Sequence, residues 1–406
     1  MKAIVQKLWC CALGLWLASS AALAQTSSSN PQQVNSASLG FGFRLVKELC
    51  QQAPAQHVFI SPYSISSVLQ MLSNGAHGRT EQELRQVLGT LNLSAAEVNA
   101  AYKAASQDLN SQTNSILNIA NALWYRTGAA LNPEFAEVNR TYYGAELSSV
   151  DFSSPSSANL INAWADRATR GKIPQIVSAP IRADTAMILA SAIYFKGTWE
   201  HPFDAKQTHD RAFHLVNGTQ LLLPMMLQTR NWRYRQADGY QAIQMPYAGG
   251  NLAMQILLPA TNSTVQALLA RMEPQFWETE ILTGLREQRG TLLLPKFTLR
   301  YESDLKGPLA ALGLTTAFGP AADFSGIATG ALFVSQIKHQ AFVDVNEEGT
   351  EAAAVTTGVV ALTAFRNEPP PFEMIVDRPF IFAISDLKSR SVLFLGVVYD
   401  PALAVR

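Results

Sequence analysis

Residues 347–358 form a stretch of small residues whose preferences are divided between helix and strand. Three consecutive alanines favour a helix, whereas Val355 and the two threonines after it favour a strand. In a strand the side chains alternate between two faces, and one face of this stretch would carry small residues alone. These residues are Thr350, Ala352, Ala354, Thr356 and Gly358. Because Glu351 falls on the opposite face, the small face could slide between existing strands. A flexible surface loop is the alternative interpretation.

The flanking residues set limits on such a strand. Residues 341–345, just upstream, have the pattern of a strand, and Gly349 supplies a point where the chain could reverse. Downstream, the irregular segment 361–371 ends in three prolines, which cannot continue a sheet.

Composition and charge narrow the class of protein. The chain has 406 residues, of which 48% are apolar and 15% charged, so it can bury a sizeable core. The formal net charge is zero, which points to neither nucleic acid nor an anionic membrane as a partner.

The motifs of common catalytic and metal sites are missing from the sequence. It contains no glycine-rich phosphate loop, HExxH, CxxC or G-x-S-x-G motif. His201, His209 and His214 are close in sequence, but their spacing fits no recognised metal site. We therefore expect no metal, no cofactor and no enzymatic activity.

Residues 1–24 have the pattern of a signal peptide. A start with two lysines is followed by an apolar run over 8–17 and by the small-x-small sequence Ala22-Leu23-Ala24. A retained anchor is the alternative, but the run is short for a membrane span. We expect export to the periplasm or beyond it, a polar disordered lead over 25–36 and a single folded domain over 37–406. After cleavage Cys50 is the one remaining cysteine, and its helical apolar neighbours predict a buried thiol.

Local patterns predict helices and strands in mixed order. Ser61 followed by Pro62 is a helix start, and Asn74-Gly75 ends that helix. Residues 158–170 have an amphipathic helical pattern. Buried strands are predicted at 116–125, 187–195, 252–258, 292–294, 381–384 and 392–399. This order indicates an α+β fold.

Five sequence segments, taken together with the stretch at 347–358, resemble the serpin family in order and spacing. They are Phe59-Ile60-Ser61-Pro62-Tyr63-Ser64-Ile65-Ser66, Ala192-Ile193-Tyr194-Phe195-Lys196-Gly197-Thr198-Trp199, Leu294-Pro295-Lys296-Phe297, Ala322-Asp323-Phe324-Ser325-Gly326 and Asp377-Arg378-Pro379-Phe380. The resemblance covers about residues 37–401. It implies one α+β domain with a large central β-sheet, further sheets, surrounding helices and an exposed reactive-centre loop at about 347–371.

The resemblance implies a protease inhibitor that acts as a suicide substrate. The target, a serine protease or alternatively a cysteine protease, cuts the loop and forms an acyl-enzyme, and the freed hinge inserts into the central sheet. The hinge residues are Glu347, Glu348, Gly349, Thr350, Glu351, Ala352, Ala353 and Ala354. Their small inward face favours inhibition over the alternative of a non-inhibitory binding protein, because non-inhibitory relatives tend to carry bulky, charged or proline residues there.

Two further groups are carried over from the family residue by residue. Ser61, Ser64 and His339 match a polar cluster beneath the sheet, the shutter, in which Ser191 stands where an asparagine is usual. Trp199 matches the tryptophan at the top of the sheet. Lys296 and Glu347, with Trp199, form the group called the breach, and we predict that these two pair as ions. Each residue could instead be an ordinary part of the core.

The family's usual count of seventeen residues from Glu347 places the scissile bond at Thr363–Ala364. The apolar residues before it favour an elastase-like or subtilisin-like protease, while Phe365 and Arg366 are alternative cleavage sites. Residues 91–110 hold a single basic residue, Lys103, so no heparin-type cofactor is expected. We expect a monomer without a membrane anchor.

Overall fold

The computed structural model describes residues 31–111, 115–350 and 370–403. The expected signal peptide, hinge residues 351–354 and the scissile bond with its alternatives all lie outside the described residues. The helices are α1 (Pro31–Gln52), α2 (Pro62–Ser73), α3 (Gly78–Leu88), α4 (Ala95–Asn110), α5 (Pro133–Tyr143), α6 (Ser157–Ala168), α7 (Val265–Ala270), α8 (Pro274–Phe276) and α9 (Lys306–Ala311).

The described strands alternate irregularly with these helices. They are β1 (Val58–Ile60), β2 (Ser115–Arg126), β3 (Glu146–Val150), β4 (Met187–Thr198), β5 (His209–His214), β6 (Gln220–Ala237), β7 (Tyr240–Pro246), β8 (Leu252–Pro259), β9 (Arg286–Pro295), β10 (Phe297–Asp304), β11 (Gln336–Asn346), β12 (Gly349–Thr350), β13 (Phe372–Ile375), β14 (Phe380–Asp386) and β15 (Ser391–Val398).

These strands form two sheets, which together with the helices confirm the α+β prediction. The larger sheet contains the path β1-β15-β14-β8-β7-β6-β9-β13, with β5 paired to β6. The smaller one has six strands in the order β10-β11-β12-β4-β2-β3. The main hydrophobic core draws side chains from both sheets, from α1 and from α2. No described helix is long and apolar enough to cross a membrane.

Helix α1 starts earlier than the sequence predicts. Residues 31–36, assigned above to a disordered lead, belong to this helix. Two contacts hold this polar segment against the fold. Val34, an apolar residue among polar ones, is buried, and the Asn35 side-chain amide donates to the Ser389 carbonyl at 2.7 Å. Further along the same helix Cys50 is buried as a free thiol, and burial raises its pKa to about 12.

The six-stranded sheet positions the candidate site. Strand β4 is buried along most of its length and lies between β2 and β11, pairing antiparallel with β2 and parallel with β11. Helix α2 packs beneath it, and Ser61 caps this helix by accepting from the Ser64 amide at 3.1 Å. We call this side the inner face. Helix α6 packs on the opposite, outer face.

Candidate functional site

The start of the hinge is already part of the six-stranded sheet. Gly349 and Thr350 form β12, which lies antiparallel between β11 and β4 at one end of the sheet. Thr350 pairs with Val345 on one side and with Gly197 on the other. The two neighbouring strands are therefore apart at this end and hold the first two strand residues of the hinge between them.

Both residues of β12 suit this position. Gly349 has φ +153°, and a β-carbon there would collide with the Gly197 carbonyl oxygen, so only glycine fits. Thr350 is fully buried, and its hydroxyl lies 2.7 Å from the hydroxyl of Tyr247. A small polar side chain that satisfies a buried phenol is thus seated where insertion would begin.

Glu347 and Lys296 form the ion pair expected at the breach. The Lys296 Nζ lies 2.8 Å from Glu347 Oε2, and the Thr208 hydroxyl donates to Glu347 Oε1 at 2.9 Å. Burial raises the pKa of Glu347, but the hydrogen bonds from Lys296 and Thr208 outweigh it and hold this pKa below its usual value. The base of the hinge is therefore fixed by a charged contact near the surface.

Trp199 joins the same end of the sheet to the residues before β12. Its indole Nε1 donates to the Asn346 carbonyl at 3.0 Å, and its amide donates to the Glu348 carbonyl at 2.9 Å. The ring stacks on Tyr247 with centroids 4.5 Å apart. Trp199 thus holds both the turn that leads into β12 and the phenol that receives Thr350.

Below β12 the gap between the strands is closed. Strands β11 and β4 pair directly and in parallel from Gln336 with Ile188 up to Phe342 with Tyr194. We call this stretch of direct pairing the seam. The pair of the seam nearest to β12, Phe342 with Tyr194, lies three residues beyond the pairs that Thr350 makes with Val345 and Gly197, so insertion past that point must open the seam.

The shutter residues meet beneath the seam, where α2 starts. The Ser61 amide donates to His339 Nε2 at 3.2 Å, and the Ser64 and Ser191 hydroxyls share a short hydrogen bond. His339 and Ser191 are themselves directly opposed in the seam. Helix α2 is therefore bonded to both strands that would have to part, by one side chain from each.

The imidazole of His339 is neutral at ordinary pH. It is completely buried, and burial lowers its pKa to about 3. Since Nε2 accepts a hydrogen bond from Ser61, this atom carries no proton. Protonation would place a charge against an amide donor in the core.

The structure adds a residue that the sequence did not single out. Asn121 on β2 is opposite Ser191 on β4, and its amide donates to the Ser67 hydroxyl at 2.9 Å and to the Tyr143 carbonyl at 3.4 Å. Ser67 lies one helical turn beyond Ser64 on α2. An asparagine within a buried strand was a signal that could have revealed it.

The three histidines considered as metal ligands do not form a site with one another. His201 lies in the segment after β4, while His209 and His214 are exposed at the two ends of β5. Within the ranges that the structure describes, no group of three or more His, Cys, Asp or Glu residues is placed to hold a metal ion.

Comparisons with known proteins agree with this geometry. The family model Serpin (serine protease inhibitor) matches residues 36–401. Iripin-2 of Ixodes ricinus is 38% identical over 365 residues, covering 88% of this chain and 91% of Iripin-2. Leukocyte elastase inhibitor of Sus scrofa is 35% identical over 386 residues, covering 91% and 100% respectively. The crystal structure of human thyroxine-binding globulin in complex with thyroxine has a TM-score of 0.84 at 29% identity, covering 92% of this chain and 100% of that one.

Proposed function

The chain belongs to the serpin family, and from that premise we propose that it inhibits a serine protease by trapping it as an acyl-enzyme. In this mechanism the protease cuts the loop after β12. The freed hinge then enters the six-stranded sheet as a new strand between β11 and β4. The protease, still bound through its acyl bond, is carried along and distorted.

The register of β12 is the observation that supports this proposal most strongly. Continued past Thr350, the pairing with β4 would bring Thr356 opposite Ser191, and the pairing with β11 would bring Thr356 opposite His339. Ser191 and His339 are opposite each other in the closed seam. Both strands would therefore accept the hinge by moving apart sideways, without sliding along their axes.

The side chains of the hinge fit the space that such a movement would open. In an inserted strand, Ala352, Ala354 and Thr356 would point to the same side as Thr350, which is the inner face next to α2. These side chains are small enough to enter beneath β4 and β11 without displacing the core. Thr356 would bring a hydroxyl to the buried polar groups of the shutter.

The free energy of insertion is sufficient for the task. About ten inserted residues make roughly ten backbone hydrogen bonds of about 1 kcal/mol net each, or roughly 10 kcal/mol before packing. An ordinary domain is stable by about 5–15 kcal/mol. The intact protein is therefore metastable, held by a kinetic barrier, and its relaxation provides enough free energy to disorder a bound protease.

Tether length supports Thr363–Ala364 as the trapping bond. Each further residue adds about 3.3 Å of extended chain, so cleavage after Arg366 would leave roughly 10 Å of slack. A slack tether would not press the protease against the inhibitor, and the acyl bond would hydrolyse. An elastase-like or subtilisin-like enzyme is then trapped at Thr363, whereas a trypsin-like enzyme uses Arg366 mainly as a substrate site.

Denaturing gels with a panel of serine and cysteine proteases test the proposal. An SDS-stable complex with an elastase-like or subtilisin-like enzyme is expected, together with a released C-terminal peptide that begins at Ala364. A peptide that begins at Asn367 would contradict the tether argument. Cleavage by every enzyme without a stable complex would reject trapping and favour a binding role, as thyroxine-binding globulin has by its name.

We further propose that the protein acts after export, as a monomer and without a polysaccharide cofactor. The supporting observations are the leader-like sequence of residues 1–24 and the single basic residue, Lys103, within 91–110. N-terminal sequencing of the protein recovered from its native host is expected to start at Gln25. Recovery of the uncleaved chain in the cytoplasm would contradict the proposal.

A further inference from the structure

The outer face of the six-stranded sheet is covered unequally on the two sides of the seam. A second hydrophobic cluster joins α6 and the segment after it to the outer side chains of β2 and β4. From the sheet it includes Ala122, Trp124, Ile188, Ala190 and Ala192. No described residue of β10 or β11 belongs to this cluster. Strands β2 and β4 and helix α6 are thus packed together on one side of the seam.

On the other side, β10 and β11 are bound to each other. They pair over eight residues, from Phe297 with Val345 to Asp304 with Lys338. Polar contacts reinforce this pair, since Lys338 Nζ lies 3.5 Å from the Asp304 carboxylate and the Thr298 hydroxyl donates to Asp344 at 2.6 Å. The sheet therefore consists of two units that meet along the seam.

Phe342 occupies the pair of the seam nearest to β12, three residues along β11 from Val345, which pairs with Thr350. Its side chain is buried on the outer face between two cations. Lys172 Nζ lies 5.2 Å from the ring centroid, and the Arg300 guanidinium lies 5.6 Å from it. Arg300 is on β10, in the same unit as Phe342. Lys172 comes from the segment after α6, in the opposite unit, so its contact crosses the seam.

The segment that carries Lys172 is firmly attached to its own unit. Ile173, Ile176 and Val177, which follow it directly, are buried in the cluster beneath α6. The Ile173 amide also donates to the Thr169 hydroxyl at 2.9 Å. The backbone next to Lys172 is thus fixed relative to β4, and separation of the two units would pull the lysine away from the ring.

We propose that Lys172 is a latch on the outer face, whose contact with Phe342 opposes opening of the seam at the point where insertion must advance. This inference rests on the proposed function and adds a residue that sets its rate. A cation held over a phenylalanine ring at a partly exposed site contributes enough free energy to change the ratio of open to closed seam about two- to five-fold. The inner face is held separately, by the bonds of α2 to His339 and Ser191.

Native-state hydrogen exchange of the intact protein tests the latch without any protease. In Lys172→Met, which keeps the apolar stem and removes the charge, amides of β4 and β11 along the seam should exchange about two- to five-fold faster. Lys172→Arg keeps a cation over the ring and should exchange as the wild type does. Lys306→Met is the matched control, because Lys306 lies in α9, outside the seam, with its Nζ 5.6 Å from the Phe318 ring.

Two results would overturn the latch. One is unchanged exchange at the seam in Lys172→Met. The other is faster exchange only in the segment after α6, which would mean that Lys172 anchors its own segment and not β11. Failure of the proposed function has a different signature. If no protease forms a stable complex with the wild type, yet Lys172→Met loosens the seam and Lys306→Met does not, the latch exists and trapping does not.

Discussion

Mild acid should destabilise the native fold through the buried imidazole of His339. The pKa of this group is lowered from 6.5 to about 3 by burial, so the folded protein keeps it neutral at pH 5. The unfolded chain binds a proton there below pH 6.5. Stability is therefore fully present above pH 6.5 and is lost as pH falls towards the folded pKa.

The size of this loss follows from the distance between pH 5 and the unfolded pKa. One pKa unit corresponds to about 1.4 kcal/mol, and pH 5 lies about one and a half units below 6.5, so His339 alone should cost about 2 kcal/mol at pH 5. The result does not depend on the depth of the pKa shift, provided that the folded value stays below 5. Ordinary carboxylates remain ionised at this pH, which leaves histidine as the main titrating type.

Urea unfolding at pH 7.5 and pH 5.0 measures the effect, with His339→Gln as the paired variant. Burial also lowers the pKa of His57 and of His201, so both proteins should lose stability on acidification. The wild type should lose about 2 kcal/mol more than the variant. Any general weakening caused by the substitution cancels, because only the two pH differences are compared. Equal losses in the two proteins would refute the assignment.

Two other predictions concern single residues or pairs. Lys296→Met and Glu347→Gln should each change the free energy of unfolding by at most about 1 kcal/mol, because the pair lies near the surface. A double-mutant cycle should give a coupling energy of similar size, and a coupling of several kcal/mol would contradict the prediction. Cys50 should resist alkylation in the native protein at pH 8 and react readily in urea, since burial raises the pKa of its thiol to about 12; rapid native labelling, followed by mass spectrometry, would show that the thiol is accessible.

The central strands of the six-stranded sheet could be predicted because they carry strong local signals. Continuous apolar runs marked β4 and most of β2, and the Ser-Pro start fixed α2 to within a residue. Strand β9 was predicted only at 292–294, although it runs over Arg286–Pro295. Its first half consists of charged and polar residues followed by Gly290, without an apolar face, and its pairing with β6 is a tertiary effect that local sequence does not encode.

The candidate site was predictable where one contact follows directly from the family resemblance. The ion pair between Lys296 and Glu347 is such a case. The position of Asn121 next to the shutter could not be predicted, because it depends on which residue of β2 comes opposite Ser191. The latch residue Lys172 carries no local signal either, since it acts through a ring 170 positions away in sequence.

Insertion of the hinge between β11 and β4 is tested most directly by heat stability before and after a single cut in the loop. If about 10 kcal/mol is gained, the cut protein should melt more than about 10 °C above the intact one. Thr350→Arg is the control, because its side chain cannot be buried where Thr350 lies, and its cut form should melt near its intact form. A wild type with equal melting temperatures before and after the cut would contradict insertion.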